Sequence, residues 1–195
     1  MEQTQLVLAS TSATRIKMLR GAGLVFESRA AELDEKQLHV THAHLHPAEL
    51  ALELAMAKAL SIKTDAYVIG SDQVLDFQGR PLHKAKSINE AREKLRALRG
   101  HTHQLHSAVA VARKNEIVFS AVESVALKMR NFSDAFLEDY LVKAEDACLH
   151  SAGCYHYEDL GAQLFEKVDG DYYAILGLPM LPLLAFLRKA TILAS

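Results

Sequence analysis

Tyr67-Val68-Ile69-Gly70-Ser71-Asp72-Gln73-Val74 is the stretch on which the reading of the fold turns. Its first three residues are aromatic or β-branched and form a continuous apolar run, which predicts a buried strand. Gly70-Ser71 ends that run, and an acidic residue follows at once. Ligands of α/β proteins bind in the crevice outside the carboxyl ends of the strands. A carboxylate placed there can act as a general base or as a metal ligand. Gly-Ser-Asp is also ordinary turn chemistry. Taken alone, Asp72 reads more simply as a turn residue, and the flanking motifs must decide.

Upstream, Leu6-Val7-Leu8-Ala9 predicts a short strand and Ser10-Thr11-Ser12 a turn into a helix. Ser12 suits the N-cap, which puts Arg15 in the first helical turn. A cation there opposes the helix dipole and makes sense beside a bound phosphate; a solvated surface arginine is the equal alternative. Gly21-Ala22-Gly23 stops this helix, and Leu24 to Arg29 predict a second strand. Pro47 suits the first position of a helix running to about Lys63. Within it Lys58 shares a face with Ala51, Ala55 and Ile62, so it either snorkels to solvent or reaches into a cleft.

Downstream, Asp76 to Pro81 predict a turn between short strands. Lys84 lies just before the capping signature Ser87-Ile88-Asn89-Glu90, again where an anion would be favoured. Thr102 to Ala112 and Glu116 to Lys128 predict two long paired strands, with Glu123 facing either outward or the cleft. Ser133-Asp134 opens a further helix, and Pro179 fits the start of an apolar terminal one. Strands alternating with helices, without repeats or long linkers, predict an α/β class with a mixed sheet. The chain, residues 1–195, is expected to form a single domain arranged as two lobes around a cleft.

Of 195 residues, 50% are hydrophobic and 24% charged, with a formal net charge of −2. That balance suits a folded soluble protein and provides no global basic field for nucleic acid or an anionic membrane. Any anionic ligand must then be held by a few local cations. The start, Met1-Glu2-Gln3-Thr4-Gln5, lacks the basic and apolar regions of an export signal. Cys148 and Cys154 are accordingly expected as reduced thiols in the cytoplasm. His39, His42, His44 and His46 invite a zinc site, but their spacing is irregular and the segment has loop character, so solvated loop histidines are expected.

Leu8-Ala9-Ser10-Thr11-Ser12 with Arg15, Asp34-Glu35, Ala55-Met56-Ala57-Lys58-Ala59 and Ile69-Gly70-Ser71-Asp72-Gln73-Val74 resemble the successive motifs of the Maf family. Lys84, the Gly100–His103 region, Ala152-Gly153 and Gly177-Leu178-Pro179 carry the resemblance along nearly the whole chain. The family comprises nucleoside triphosphate pyrophosphatases, once described as septum-formation inhibitors, with an elongated α/β fold resembling the inosine-triphosphate pyrophosphatases. The resemblance implies cleavage between the α- and β-phosphates, giving a nucleoside monophosphate and pyrophosphate. It implies Asp72 as the catalytic proton acceptor and Ser10, Arg15, Glu35, Lys58 and Lys84 as the phosphate and metal site. A divalent cation, magnesium or manganese, would be bound by Asp72 and Glu35. A homodimer is a further family-level expectation.

The sequence departs from the family pattern at Ser12-Ala13-Thr14-Arg15, where Ser-Pro-Arg-Arg is common, and at Lys84-Ala85, where Lys-Pro is usual. Thr14, Gln73 and Glu158 occupy positions that bear on substrate choice in the family. Gln73 and Glu158 resemble the branch acting on 7-methylguanosine triphosphate, whereas Thr14 matches neither known branch. The rival from another class is a non-catalytic nucleotide-binding regulator of cell division. The joint presence of Asp72, Glu35, Lys58 and Lys84 argues against it, because a pure binding module would not need the carboxylates.

Overall fold

The computed structural model describes residues 6–194, apart from the side chains of Glu35 and Lys36. Met1 to Gln5, on which the expectation of no export signal rests, lie outside them. No helix among the described residues is long and apolar enough to cross a membrane.

A mixed sheet of seven strands organises the chain, with β1 (Leu6–Ala9), β2 (Glu27–Arg29), β3 (Tyr67–Phe77), β4 (Arg80–Leu82), β5 (Thr102–Arg113), β6 (Glu116–Met129) and β7 (Phe165–Asp169). The order is β2-β1-β3-β5-β6-β7, with β4 paired to β3. The β1 pairings to β2 and β3 are parallel, and the remaining pairings are antiparallel. The expected pair of long strands is the β5–β6 ladder. The second strand is shorter than expected: Glu27 to Arg29 pair with Val7 to Ala9, and Leu24 to Phe26 lie outside the strand.

The strand beginning at Tyr67 does not end at Gly70-Ser71. It continues to Phe77, so Asp72 lies inside a strand and not in a turn beyond its end. Side chains alternate along it. Val68 and Val74 belong to the apolar cluster beneath α3 (Pro47–Ser61), whereas Ile69 packs with Leu6, Leu8 and Leu19 on the opposite face. Gly70 takes its place in the strand because α3 comes very close there. A Cβ on Gly70 would stand 2.2 Å from the Ala55 carbonyl oxygen and 2.5 Å from the Ala59 nitrogen. The small residues Ala51, Ala55 and Ala59, all fully buried, form the facing stripe of the helix.

The consequence is a gap. On one side β3 pairs continuously with β5 from Val68 to Asp76. On the other, β1 covers it only to Ile69, and β4 begins only at Leu75. Gly70 to Val74 therefore have a strand neighbour on one side only, and a cleft enters the sheet there.

The cleft separates two bodies of core. One surrounds β1 and the first half of β3, with α3 on one face and, on the other, α1 (Ala13–Gly21) and α7 (Met180–Lys189). The other gathers Leu95 and Leu98 of α4 (Ile88–Leu98), Leu137 and Leu141 of α5 (Asp134–Ala144), Tyr155 and Leu164. Two helices remain. α6 (Tyr172–Ile175) leads into α7, and α2 (Glu35–Thr41) occupies the segment expected to be a histidine-rich loop. Asp34 caps α2 by accepting the Gln37 N–H. Both cysteines are buried free thiols, and burial pushes Cys154 up to about 11.

His103 of β5 lies in the second core, 2% exposed, with Nε2 against the Tyr155 hydroxyl at 2.7 Å and Nδ1 without a partner. Burial lowers its pKa from 6.5 to about 4. Over that range the unfolded chain binds a proton that the folded protein does not, so stability rises with pH and is lost on acidification. Urea unfolding at pH 7 and pH 4.5 should show a loss traceable to this group of roughly 2–3 kcal/mol. His103→Gln should flatten the dependence by that amount; an unchanged pH slope would contradict the assignment.

Candidate active site

The cleft is a cavity of about 590 Å³. Its walls come from the two places where β3 loses a neighbour. Beyond β1, Ser10, Thr11, Ser12, Thr14 and Arg15 form one wall; beyond β4, His83 and Lys84 form the other, with the segment from His150 to Glu158 closing the side. Asp72, Gln73 and Val74 form the floor. Crevice placement thus holds for β1, whose carboxyl end opens into the cavity, while Asp72 reaches it from mid-strand.

At the floor, Lys58 Nζ donates to Asp72 Oδ1 at 2.6 Å. The two residues are only 7% and 8% exposed. Lys58 does not snorkel to solvent: its face was legible as a stripe of small residues, but its partner on β3 was not. An ion pair so enclosed is held by Coulomb attraction against a large desolvation cost.

Arg15 stands in the first turn of α1, whose N-cap is Ser12, with Ser12 Oγ accepting the Arg15 N–H at 3.4 Å. Its Nε donates to the Gly177 carbonyl at 3.0 Å, and the same carbonyl accepts from Ser71 Oγ at 2.8 Å. One backbone oxygen thereby ties the head of α1 to β3 and aims the guanidinium along the cleft. Gly177 has φ +92°, and a Cβ on it would lie 3.3 Å from Arg15 Nη2. Gln73 is held in a similar way. Its amide donates to the Ala174 and Ile175 carbonyls and to Ser107 Oγ, each at 2.9 Å, fixing α6 against the sheet.

The structure brings Ser10, Thr14, Arg15, Lys58, Asp72, Gln73, Lys84 and Glu158 to one cavity. Lys84 and Glu158 are exposed at its margins. Glu35 opens α2, but its side chain lies outside the described residues. Glu123 does not line the cavity; burial, and then Asp171, raise its pKa. Thr14, Glu158 and Leu176 also border a second cavity of about 480 Å³, lined by Lys17, Tyr172 and Tyr173.

Two features escape the reading of the sequence. His39, on α2, lines the cleft edge-to-face with His83, ring centroids 5.2 Å apart. His46, Asp76 and His106 form a group with metal-ligand spacing, their ligand atoms all within 4.8 Å of one another. Strand alternation was the available signal for the latter, since it places Asp76 on the face of Asp72.

The family model for Maf-like proteins matches residues 5–190. The chain belongs to the Maf family. A Rhizobium meliloti protein named 7-methyl-GTP pyrophosphatase is 44% identical over 189 residues, covering 94% of this chain and 95% of that one. A Caulobacter vibrioides protein named nucleoside triphosphate pyrophosphatase is 45% identical over 192 residues, covering 96% of each chain. A solved structure of a HAM1 protein from Coxiella burnetii covers 67% of this chain and 75% of its own, with a TM-score of 0.44 and 14% identity, too slight a likeness to bear on the fold.

Gly177 and Gly79 separate backbone from site. Both have positive φ, but a Cβ on Gly79 meets nothing within 4 Å. Gly79→Ala and Gly177→Ala should each lower stability by about 1 kcal/mol. Only the latter should shift the Arg15 Nε–H signal in an NMR spectrum; equal silence from both would mean that Gly177 does not position the guanidinium.

Proposed function

We propose that this Maf protein hydrolyses nucleoside triphosphates between the α- and β-phosphates, releasing a nucleoside monophosphate and pyrophosphate. The observation that carries the reading is the Lys58–Asp72 pair on the cavity floor, with Arg15 and Lys84 on opposite walls. Three cations and one carboxylate lining a single cavity suit a polyanion whose cleavage needs a proton acceptor. The names of the relatives support the same chemistry.

In this mechanism Asp72 accepts a proton from a water whose oxygen forms a bond to the α-phosphorus. The bond from that phosphorus to the bridging oxygen breaks, and pyrophosphate leaves with the electron pair. Lys58, bonded to one oxygen of Asp72, fixes the carboxylate's orientation. Arg15 and Lys84 stabilise charge gathering on the phosphates, and Ser10, in the wall that carries Arg15, meets a phosphate oxygen.

A divalent cation fits the donor set, because Asp72 presents a hard oxygen ligand to a cavity that would also hold phosphate oxygens. Magnesium or manganese, held by Asp72 and Glu35, would neutralise phosphate charge there. Asp72→Asn should reduce pyrophosphate release by about 10³-fold while the protein remains folded by circular dichroism. Chelator should abolish turnover, and magnesium or manganese should restore it. Activity within tenfold of wild type in Asp72→Asn would remove this residue from its role.

For the base, Glu158 and Thr14 stand where the cleft meets the second cavity. An ionised Glu158 offers acceptors only. A guanine edge presents two neighbouring N–H donors, whereas a uracil or thymine edge alternates acceptor and donor. Methylation at N7 adds positive charge and hence Coulomb attraction. The protein should therefore prefer guanine-type bases, including 7-methylguanine, and Glu158→Gln should erode that preference by about tenfold. Comparison of kcat/KM for 7-methyl-GTP, GTP, UTP and dTTP tests it; a wild-type preference for UTP or dTTP would refute this base assignment while leaving the pyrophosphatase reading standing.

A further inference from the structure

Asp76 is a buried carboxylate, 7% exposed, whose ion-pairing partners among the described residues are histidines. Its Oδ1 accepts the Gly79 N–H at 2.7 Å and shapes the β3–β4 turn. Its Oδ2 faces His106 Nε2 at 3.4 Å and His46 Nε2 at 3.9 Å. His106 is 2% exposed on the neighbouring strand β5, and His46 sits at the N-cap of α3, largely exposed. Three elements thus deliver one carboxylate oxygen and two imidazole nitrogens to a common point.

We infer that His46, Asp76 and His106 form a second metal site, one that takes a divalent transition-metal ion of the zinc class. The ligand set carries the choice of ion: two imidazoles and one carboxylate suit zinc, cobalt or nickel, whereas magnesium prefers an all-oxygen shell. The spacing agrees. Tetrahedral zinc with bonds of about 2.0–2.1 Å needs ligand atoms about 3.3 Å apart. The His106–Asp76 separation of 3.4 Å already meets this, and His46, 3.9 Å from Asp76 and within 4.8 Å of His106, has to move inward by up to about 1.5 Å.

The surroundings of His106 fit a ligand. Its Nδ1 lies 2.7 Å from Ser124 Oγ. With the proton on Nε2, His106 donates to Asp76 Oδ2 at 3.4 Å; with the proton on Nδ1 and donated to Ser124, the Nε2 lone pair faces Asp76 and is free to bind a cation beside that carboxylate. This is the outer-shell arrangement usual for metal-bound histidine. His46 differs. Its Nδ1 accepts the Ala48 N–H at 3.2 Å and caps α3. An ion on Nε2 places the proton on Nδ1 and removes that acceptor, so metal occupancy displaces half of the cap. The other half, Glu49 accepting the His46 N–H at 3.0 Å, remains. Losing a cap costs about 1 kcal/mol, small beside the binding free energy of a structural zinc. The exposed side of His46 leaves a path for entry and a fourth position for water.

The site is separate from the proposed catalytic centre. Asp72 and Asp76 lie four residues apart on the same face of β3, about 13 Å along the strand. An ion at Asp76 would pin the N-terminal end of α3 to β3 and β5, while Lys58, near the other end of the helix, meets Asp72. Its effect should be on stability, without participation in phosphate chemistry.

Isothermal titration of the full-length protein with zinc, and with cobalt followed by visible absorbance, tests the inference without reference to turnover. One equivalent should bind with micromolar or tighter affinity, and the melting temperature should rise by several degrees at a hundredfold excess over Kd. Asp76→Asn should weaken binding at least a hundredfold. His46→Asn is the sharper variant, because asparagine preserves an N-cap acceptor while removing the imidazole. It should lose the metal-induced rise while melting like wild type without metal. Asp72→Asn should bind as wild type does. Absence of binding at 100 µM zinc, or binding indifferent to both Asp76→Asn and His46→Asn, would overturn the inference.

Discussion

Five residues of one strand, Gly70 to Val74, have a strand neighbour on one side only, and the site depends on that gap. In a closed ladder the backbone groups on that flank would be paired, and a neighbouring strand would fill the space now lined by Ser10, Arg15 and Lys84. The gap exists because β1 is short and turns at Ser10 into α1, while β4 is a three-residue hairpin arm that reaches back only to Leu75. Open sheet flanks invite unwanted pairing. Here the flank lies inside the molecule, walled by α1 on one side and by the segment around Gly153 on the other. The geometry converts a liability of sheets into the floor of a cleft.

The same interruption shows what the sequence could and could not reveal. The apolar run from Tyr67 to Ile69 was legible as a strand, and so were the long β5–β6 pair and the helix after Pro47. The continuation through Gly70-Ser71-Asp72 was not, because its residues are those of turns. Gly70 is there to let α3 approach, and Asp72 is buried because Lys58 neutralises it. Both reasons are tertiary, and neither leaves a trace in local propensity. Helix α2 was missed for a different reason. Asp34 followed three residues later by Gln37 is a capping signature, but the histidines around it obscured the helix.

Candidate site residues fared similarly. Arg15 and Lys84 were placed locally where an anion is favoured, Lys58 on a face that either snorkels or reaches into a cleft, and one cavity unites them. Gln73 presents a different case, since its amide donors hold Ala174 and Ile175 in place. Its bearing on substrate choice would act through the position of α6, which carries Tyr172 and Tyr173 into the neighbouring cavity. The histidines read as solvated loop residues divide in two: His39 borders the cleft and His46 joins Asp76. Sequence spacing could not have shown either, because their partners, His83 and Asp76, lie thirty or more residues away.

The most direct measurement of the central claim is a crystal structure with a nucleoside triphosphate analogue carrying a methylene group between the α- and β-phosphorus atoms. The account predicts the α-phosphate against the open flank of β3, within reach of a water held by Asp72, with Arg15 and Lys84 on the phosphate chain. A triphosphate bound outside this cleft, with Asp72 and Lys58 untouched, would contradict it.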